Sequence, residues 1–464
     1  MIHSRFRFPQ ISLLLFALLT VAVQGAESET SKGRPNILIM LTDDLGYNDL
    51  GCYGHPAIKS PFLDQLAAEG MRFTDCYAAA PVCSPSRAGM LSGRTPHRLG
   101  VFDWIPEGSP MHMKSDETTF AALLNEAGYQ TAHIGKWHCN GEFNRPSQPQ
   151  PNDHGFDYWF STQNNALPTH HEPMNFVRNG EEVGKLEGYS SDIIVDEAIQ
   201  WLQNRKEEEP FCLVVWFHSP HEVVATAPEY VEQYKQYEPL KRAEYYGNVA
   251  QTDAAAGRLL KELDSQKLRD NTFVLFTSDN GPETLNRYGP RSSRSYGSPD
   301  PLRGMKLHMY EGGIRVPGII RWPGHIEAGS LSHQPVCGVD VLPTVCAVAG
   351  VDVQVEKKLD GANLLPALEN KPIDRPHPLY WRYDRALSDA KIAIRDGDWK
   401  LLVRKDYSEP ELYHLTTDIS EEQNLAKNEP ERLKTMLAQL KELNEEISAE
   451  APTWPKLERK ANKK

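Results

Sequence analysis

"PNILIMLTDDLG", residues 35–46, is apolar without a break from Ile37 to Leu41 and then turns to Thr42, Asp43 and Asp44. A short, unalternated apolar run of this kind reads as a strand buried on both faces of a sheet. Three more stretches share its form. "YQTAHIGKWH" ends on Lys136 and His138, "PFCLVVWFHSPH" on His218 and His221, and "NTFVLFTSDNG" on Asp279 and Asn280. Helix-like stretches intervene at 60–68, 116–127, 191–205 and 244–263. Strands alternating with helices predict an α/β domain whose central sheet is mostly parallel and flanked by helices. Ligands of such sheets bind beyond the carboxyl ends of the strands. A single polar cluster there is also what an ordinary turn or helix cap supplies; four on one edge point to a site.

At 464 residues the chain can bury one large core and a second, smaller one. Its net charge of −13 offers no overall attraction to nucleic acid or other polyanions, so positive charge for an anionic ligand must be local. Arg5 and Arg7 precede the apolar run "ISLLLFALLTVAV" at 11–23, which is followed by Gly25 and Ala26. This pattern predicts a secretory signal peptide over residues 1–25, with a retained anchor as the alternative. No second apolar run has spanning length, so no membrane association is expected after cleavage. The chain has no N-x-[ST] sequon. Export to a bacterial periplasm or medium is therefore expected ahead of a lysosomal location.

Export makes disulfides possible. The cysteines are Cys52, Cys76, Cys83, Cys139, Cys212, Cys337 and Cys346, an odd number. Their pairing is not legible, and Cys83 is the candidate for the one left over.

The character of the chain changes at 366–378, where "PALENKPIDRPHP" reads as a linker. Beyond it, "PLYWRYD", "DAKIAIRDGDWKLLV" and "ELYHL" read as short strands, followed by a charged helix from Glu429 to about Ile447. The expected organisation is a catalytic domain at 34–366, a C-terminal α+β unit at 377–450 with an antiparallel sheet under one helix, and a basic tail at 451–464 whose last residues, "KLERKANKK", are expected to be frayed.

"PVCSPSRAGMLSGR", residues 81–94, places Cys83 at the start of a predicted helix. Pro85 suits a first helical turn, and Arg87, four residues on, lies above Cys83 on the same face. A nucleophile candidate, a helix N-terminus and a cation thus come together, although a buried structural cysteine beside a cap has the same look. Asp43, Asp44, Asp279 and Asn280 offer oxygen atoms only, and no Cys or His cluster has zinc spacing. That donor set predicts a hard cation, calcium ahead of magnesium. Lys136, Arg87 and Lys306 are placed to surround the outer oxygens of a tetrahedral anion. His138 and His221 are candidates for proton transfer. His218, His170 and His171 carry no assignment.

C-S-P-S-R at 83–87 resembles the C-x-P-x-R signature of the type I, formylglycine-dependent sulfatases. "LTDDLG", "HIGKWH", "SDNG", "LRGMKLHMYEGGIRVP" at 302–317 and "ELYHLTTDISEEQNLA" at 411–426 extend the match in the family's order. The "HIGKWH" and "HGFDYWF" segments look most like the arylsulfatase A and N-acetylgalactosamine-6-sulfatase branch. The resemblance implies an alkaline-phosphatase-like fold with a large α/β domain and a smaller C-terminal one. It also implies removal of sulfate from a sulfated carbohydrate or an aryl sulfate. Cys83 would be oxidised by a formylglycine-generating enzyme to formylglycine (3-oxoalanine), whose hydrate supplies the attacking hydroxyl and later expels sulfate. Asp43, Asp44, Asp279 and Asn280 would hold calcium together with residue 83, and Lys136 and Lys306 would bind sulfate oxygens. Arg87 would lie beside the nucleophile, His138 would assist the elimination, and His221 would protonate the leaving alcohol.

Two other readings compete. One is a formylglycine-dependent phosphonate or phosphate monoester hydrolase; the other is a protein that binds sulfated glycans without catalysis. The loop "NRYGPRSSRSYGSPDPLRG", 286–304, carries Arg287, Arg291, Arg294 and Arg303 between two site motifs. It is expected either to be a solvated loop or to bind neighbouring sulfates or carboxylates of a polymeric substrate.

Overall fold

The structure is a computed structural model that describes Met1, residues 33–283 and residues 296–455. The rest of the expected signal peptide, the tail segment 456–464 and Arg287, Arg291 and Arg294 lie outside the described residues.

Among the described residues a ten-stranded sheet forms the centre. Its strands run, edge to edge, Ser330–Ser332, Met71–Phe73, Gly318–Arg321, Thr272–Ser278, Asn36–Thr42, Phe211–Trp216, Gln130–Lys136, Tyr158–Thr162, Val177–Arg178 and Glu181–Glu182. The five from Thr272–Ser278 to Tyr158–Thr162 are mutually parallel, and Gly318–Arg321 runs antiparallel to its neighbours.

The unbroken apolar run explains itself in this setting. Ile37, Ile39 and Leu41 enter one core with Leu91, Phe120 and Leu342, while Leu38 and Met40 enter the other with Leu66, Ile194 and Leu259. Alternate side chains leave a strand on opposite faces, and here both faces are covered by helices. Helices Cys83–Ser92, Phe120–Glu126 and Val341–Val348 cover the first face; Pro61–Glu69, Ser190–Asn204 and Leu240–Ser265 cover the second. Burying each such side chain is worth about 1.5–3 kcal/mol, so five in succession anchor the strand on which Asp43 and Asp44 depend.

Strands Leu379–Arg382, Ile392–Asp396, Trp399–Val403 and Glu411–His414 form an antiparallel sheet. Helix Pro430–Glu450 lays Met436, Leu440, Leu443 and Ile447 on Ile392, Ile394, Leu401 and Val403. The other face of that sheet is buried as well. Trp381, Ala393, Leu402 and Tyr413 pack with Tyr77, Val82, Cys83, Met309 and Ile314 of the large domain, and Trp381 Nε1–H donates to Ala78 O at 2.8 Å. The C-terminal sheet therefore sits directly behind the start of the Cys83–Ser92 helix.

Three expectations are corrected here. All seven cysteines are free, six of them buried, so an odd count was no guide to which one is special. The Pro-rich segment at 366–378 is not a loose linker: Ala367 and Leu368 are buried, Arg375 pairs with Asp340 at 2.7 Å, and His377 Nε2 meets Asp360 Oδ1 at 2.9 Å. The start of the tail is docked, with Trp454 Nε1–H on Gly100 O at 2.7 Å and its ring against His112. For the Pro-rich segment and the tail the cause is the same, since proline content and charge do not reveal which partners the rest of the chain will present.

Candidate active site

Parallel register brings the ends of four strands to one edge, and with them Asp43 and Asp44, Lys136 and His138, His218 and His221, and Asp279 and Asn280. The acidic groups meet in the protein interior. Asp44 N–H donates to Asp279 Oδ1 at 3.2 Å, and Asn280 Nδ2–H donates to Asp44 Oδ1 at 2.7 Å. Asp43, Asp44, Asp279 and Asn280 are all 0% exposed. Asp44 holds φ at 67°, a left-handed conformation that is rare for a residue with a side chain and recurs at functional sites.

Three cations face these acids. Lys136 Nζ lies 2.5 Å from Asp43 Oδ2, and Lys306 Nζ lies 2.6 Å from Asp44 Oδ1 and 3.8 Å from Glu283 Oε2. Arg87 donates from Nε to Asp279 Oδ2 at 2.9 Å and from Nη1 to the Lys136 carbonyl at 3.0 Å, and its Nη2 lies 3.6 Å from Asp43. Its Nε and Nη1 are thus occupied with carboxylate and backbone, and Arg87 is the brace that fixes Asp279 beside Asp43.

Burial would raise Asp43, but Lys136, His221 and Arg87 outweigh it and hold the carboxyl well below its usual range. Burial raises Asp44 to about 7 against the opposing pull of Lys306, with Asp43 and Glu283 adding to the rise. Burial also raises the Cys83 thiol despite the pull of Lys136 and Lys306.

The histidine tautomers follow from their partners. His138 Nε2 faces the Ile105 carbonyl at 3.1 Å, and a carbonyl only accepts, so Nε2 carries the proton. Its Nδ1 is a buried lone pair without a protein partner. His221 donates from Nδ1 to Glu222 O, leaving the Nε2 lone pair 3.6 Å from Asp44 Oδ2. Burial, aided by Lys136 for His138 and by Lys306 for His221, holds both rings well below the usual imidazole range.

Asp43 Oδ1 and Asn280 Oδ1 are buried acceptors without protein donors. Buried oxygens left this way beside carboxylates fit a hard cation. Ligand atoms of Asp43, Asp44 and His221 lie within 4.8 Å of one another. His221, expected as a proton donor only, belongs to that group, whereas Cys83 and Asp279, both expected among the ligands, do not.

The Lys306 segment is held from both domains. Leu307 N–H donates to Pro81 O at 2.8 Å, and Leu387 N–H donates to Leu307 O at 2.8 Å. Gly281, after Asn280, donates to Gly313 O at 3.0 Å, and a Cβ on Gly281 would fall 1.9 Å from Gly312 O. Only glycine permits that approach, which explains why S-D-N-G and E-G-G occur together. Arg303 lies over the Tyr310 ring at 3.8 Å and donates to Tyr413 Oη and Glu421 O, so it ties the domains together. Glu283 went unremarked in the sequence, although it follows Asn280 by three residues.

Fold, motif order and the acid-lined strand ends together define a hydrolase of sulfuric esters, and the chain belongs to the sulfatase family. A profile described as Sulfatase matches residues 35–351, and one described as N-sulphoglucosamine sulphohydrolase, C-terminal, matches residues 305–450. Human N-acetylgalactosamine-6-sulfatase is 34% identical over 382 residues, covering 76% of this chain and 69% of that protein. The solved structure of Ps i-CgsB in complex with k-i-k-neocarrahexaose aligns with a TM-score of 0.79 at 31% identity, covering 91% of this chain and 95% of that one. BT4656 in complex with its substrate D-glucosamine-2-N,6-O-disulfate aligns with a TM-score of 0.73 at 26% identity, covering 90% and 99%.

Proposed function

We propose that this sulfatase removes sulfate from a sulfated carbohydrate, using calcium and a formylglycine made from Cys83. The observation that carries the reading is the buried set of Asp43, Asp44, Asp279 and Asn280 facing Lys136 and Lys306, with two carboxamide or carboxylate oxygens lacking donors. The carbohydrate is supported by solved relatives in complex with k-i-k-neocarrahexaose or with D-glucosamine-2-N,6-O-disulfate.

Those four side chains would hold the calcium, which supplies positive charge against an anionic ester. A formylglycine at 83 supplies, as its hydrate, a hydroxyl nucleophile that a buried thiol does not. Lys136 Nζ and Lys306 Nζ bind the outer sulfate oxygens once their carboxylates are neutralised. Arg87 keeps Asp279 in place. His221 takes up a proton at Nε2, beside Asp44, and gives it to the leaving alcohol. His138, with its lone pair at Nδ1, accepts the proton released as sulfate departs.

Cys83 is 3% exposed and Arg87 0%, so a formylglycine-generating enzyme must act before this helix is enclosed. We further propose export through the segment at 1–25, which N-terminal sequencing of the mature protein tests. Among the described residues no helix is long and apolar enough to cross a membrane.

Mass spectrometry of the peptide containing residue 83, together with paired assays on matched aryl sulfate and aryl phosphate, tests the reading. We expect an aldehyde at 83 and faster cleavage of the sulfate. A fully active enzyme with an intact thiol, or a preference for the phosphate, overturns it.

The metal gives a separate prediction. Asp279→Ala, or chelation of the wild type, lowers kcat/KM by roughly a hundredfold or more, since a catalytic metal supplies several kcal/mol of charge stabilisation. Calcium requires an ionised Asp44, whose carboxyl lies at about 7 in the metal-free protein. Affinity measured by titration calorimetry therefore weakens as pH falls from 8 to 6, with proton release on binding. Full activity in verified metal-free enzyme refutes the assignment.

A further inference from the structure

The strand Tyr158–Thr162 runs beside Gln130–Lys136, with Thr162 in register with Lys136. Trp137 N–H donates to Thr162 O at 2.9 Å and His138 N–H to Gln163 O at 2.7 Å, so the loop that follows leaves from the edge of the site. Eight residues past the strand end that loop carries His170, 1% exposed, whose backbone is fixed by Ser190 N–H on His170 O at 2.7 Å. Its ring lies 5.5 Å, centroid to centroid, from that of His218, which is 0% exposed and stands three residues before His221.

The hydroxyl of Thr162 decides the tautomer of His218. Thr162 Oγ1–H donates to Asn164 O at 2.7 Å, which uses its one proton. The 2.7 Å contact between Thr162 Oγ1 and His218 Nε2 must then be donated by the ring, leaving a lone pair at His218 Nδ1. That Nδ1 has no protein partner, and neither has either nitrogen of His170. Two adjacent buried imidazoles therefore offer three unsatisfied polar atoms, each of which costs about 1–3 kcal/mol if nothing meets it.

The chemistry of a ligand for these atoms is restricted. Burial lowers His170 to about 4 and His218 well below the usual range, so both rings are neutral and neither attracts an anion. Thr162, whose hydroxyl meets His218 Nε2, stands in register with Lys136, which places the pair beside the sulfate site. A neutral imidazole that donates at one nitrogen and accepts at the other matches a hydroxyl, which also does both.

We propose that His170 and His218 form a hydroxyl-recognition pair that binds adjacent hydroxyls of the sugar ring bearing the sulfate ester. The inference rests on the carbohydrate reading above. Aryl sulfates, with no ring hydroxyls, gain nothing from it, so the pair sets preference among esters while Lys136 and Lys306 hold the sulfate.

The test uses formylglycine-bearing enzyme with a monosulfated sugar and an aryl sulfate, each assayed on wild type, His170→Phe and His170→Gln. Thermal unfolding confirms that each variant is folded. Phenylalanine keeps the ring and removes both nitrogens; glutamine restores a donor and an acceptor. We expect the ratio of kcat/KM for sugar sulfate over aryl sulfate to fall at least tenfold in His170→Phe and to recover in part in His170→Gln. A deoxy sugar sulfate lacking the bound hydroxyl should show no further loss in His170→Phe. Equal losses on both esters, or none on either, overturn the proposal while leaving the sulfatase reading intact. A wild type that cleaves aryl sulfate but no sulfated sugar removes the carbohydrate reading, and this inference with it.

Discussion

Cys83→Ala lowers turnover at least a thousandfold while leaving the thermal unfolding midpoint within a few degrees of wild type. On the proposed mechanism, the magnitude follows from removing a covalent nucleophile from a site whose remaining groups act on charge alone, as such groups supply only part of the acceleration. Folding survives because the side chain is small: residue 83 packs among Tyr77, Val82 and Leu307, and alanine vacates little volume there. Cys83→Ser fails under multiple turnover as well, since one hydroxyl cannot both bond to sulfur and regenerate an aldehyde. Steady-state assays on an aryl sulfate with calcium present check both variants. Retention of more than about a thousandth of the activity by Cys83→Ala would sink the mechanism.

Lys400→Ala destabilises the protein by about 3–5 kcal/mol, the range for breaking a buried ion pair on one side only. Lys400 Nζ lies 2.8 Å from Glu311 Oε1 and 2.9 Å from Glu421 Oε1, all three side chains being 0% exposed. Glu421 Oε2 also accepts the Glu311 N–H at 2.7 Å. Without the lysine two carboxylates face each other in the interior. Burial, followed by the opposing pull of Lys400, already sets Glu421 at about 7, whereas the cations Lys400 and Arg315 outweigh burial and bring Glu311 to about 2. Loss of Lys400 raises Glu421 further above its unfolded value. A carboxyl raised on folding destabilises when ionised, so the deficit is larger at pH 8 than at pH 5.5. Denaturation monitored at both values checks the sign, and adding Glu421→Gln to Lys400→Ala should restore part of the loss. An unchanged midpoint for Lys400→Ala would mean that the triad contributes nothing. Because Glu311 lies between Lys306 and Gly313, activity should fall with stability.

Much of the site was legible because its residues sit at strand ends. In a parallel sheet every strand points the same way, so an apolar run that stops on Asp43, on Lys136 or on Asp279 delivers that side chain to the same edge. Arg87 was legible for a different reason, since four residues bring it round one helical turn from Cys83. What it does there was not legible, because the identity of the acceptor, Asp279, depends on a strand almost two hundred residues away. His170 was out of reach for the same reason. It leaves no periodic trace in a loop, and its significance lies in nitrogens that find no protein partner.

Sequence alone therefore determined the α/β architecture, the antiparallel C-terminal sheet under its helix, and the residues of six ordered motifs. These depend on local periodicity and on spacing, which a chain carries before it folds. Tertiary structure decided the rest: that the cysteines stay apart, that Arg303 joins domains, and that the second face of the C-terminal sheet closes over Cys83. Lys400 and Arg395, charged residues that a strand pattern assigns to solvent, are buried there against Glu311, Glu421 and Asp75. Hydropathy records how much a side chain prefers water, whereas its place in the fold depends on whether a partner of opposite charge is brought within reach, and only the closed chain specifies that.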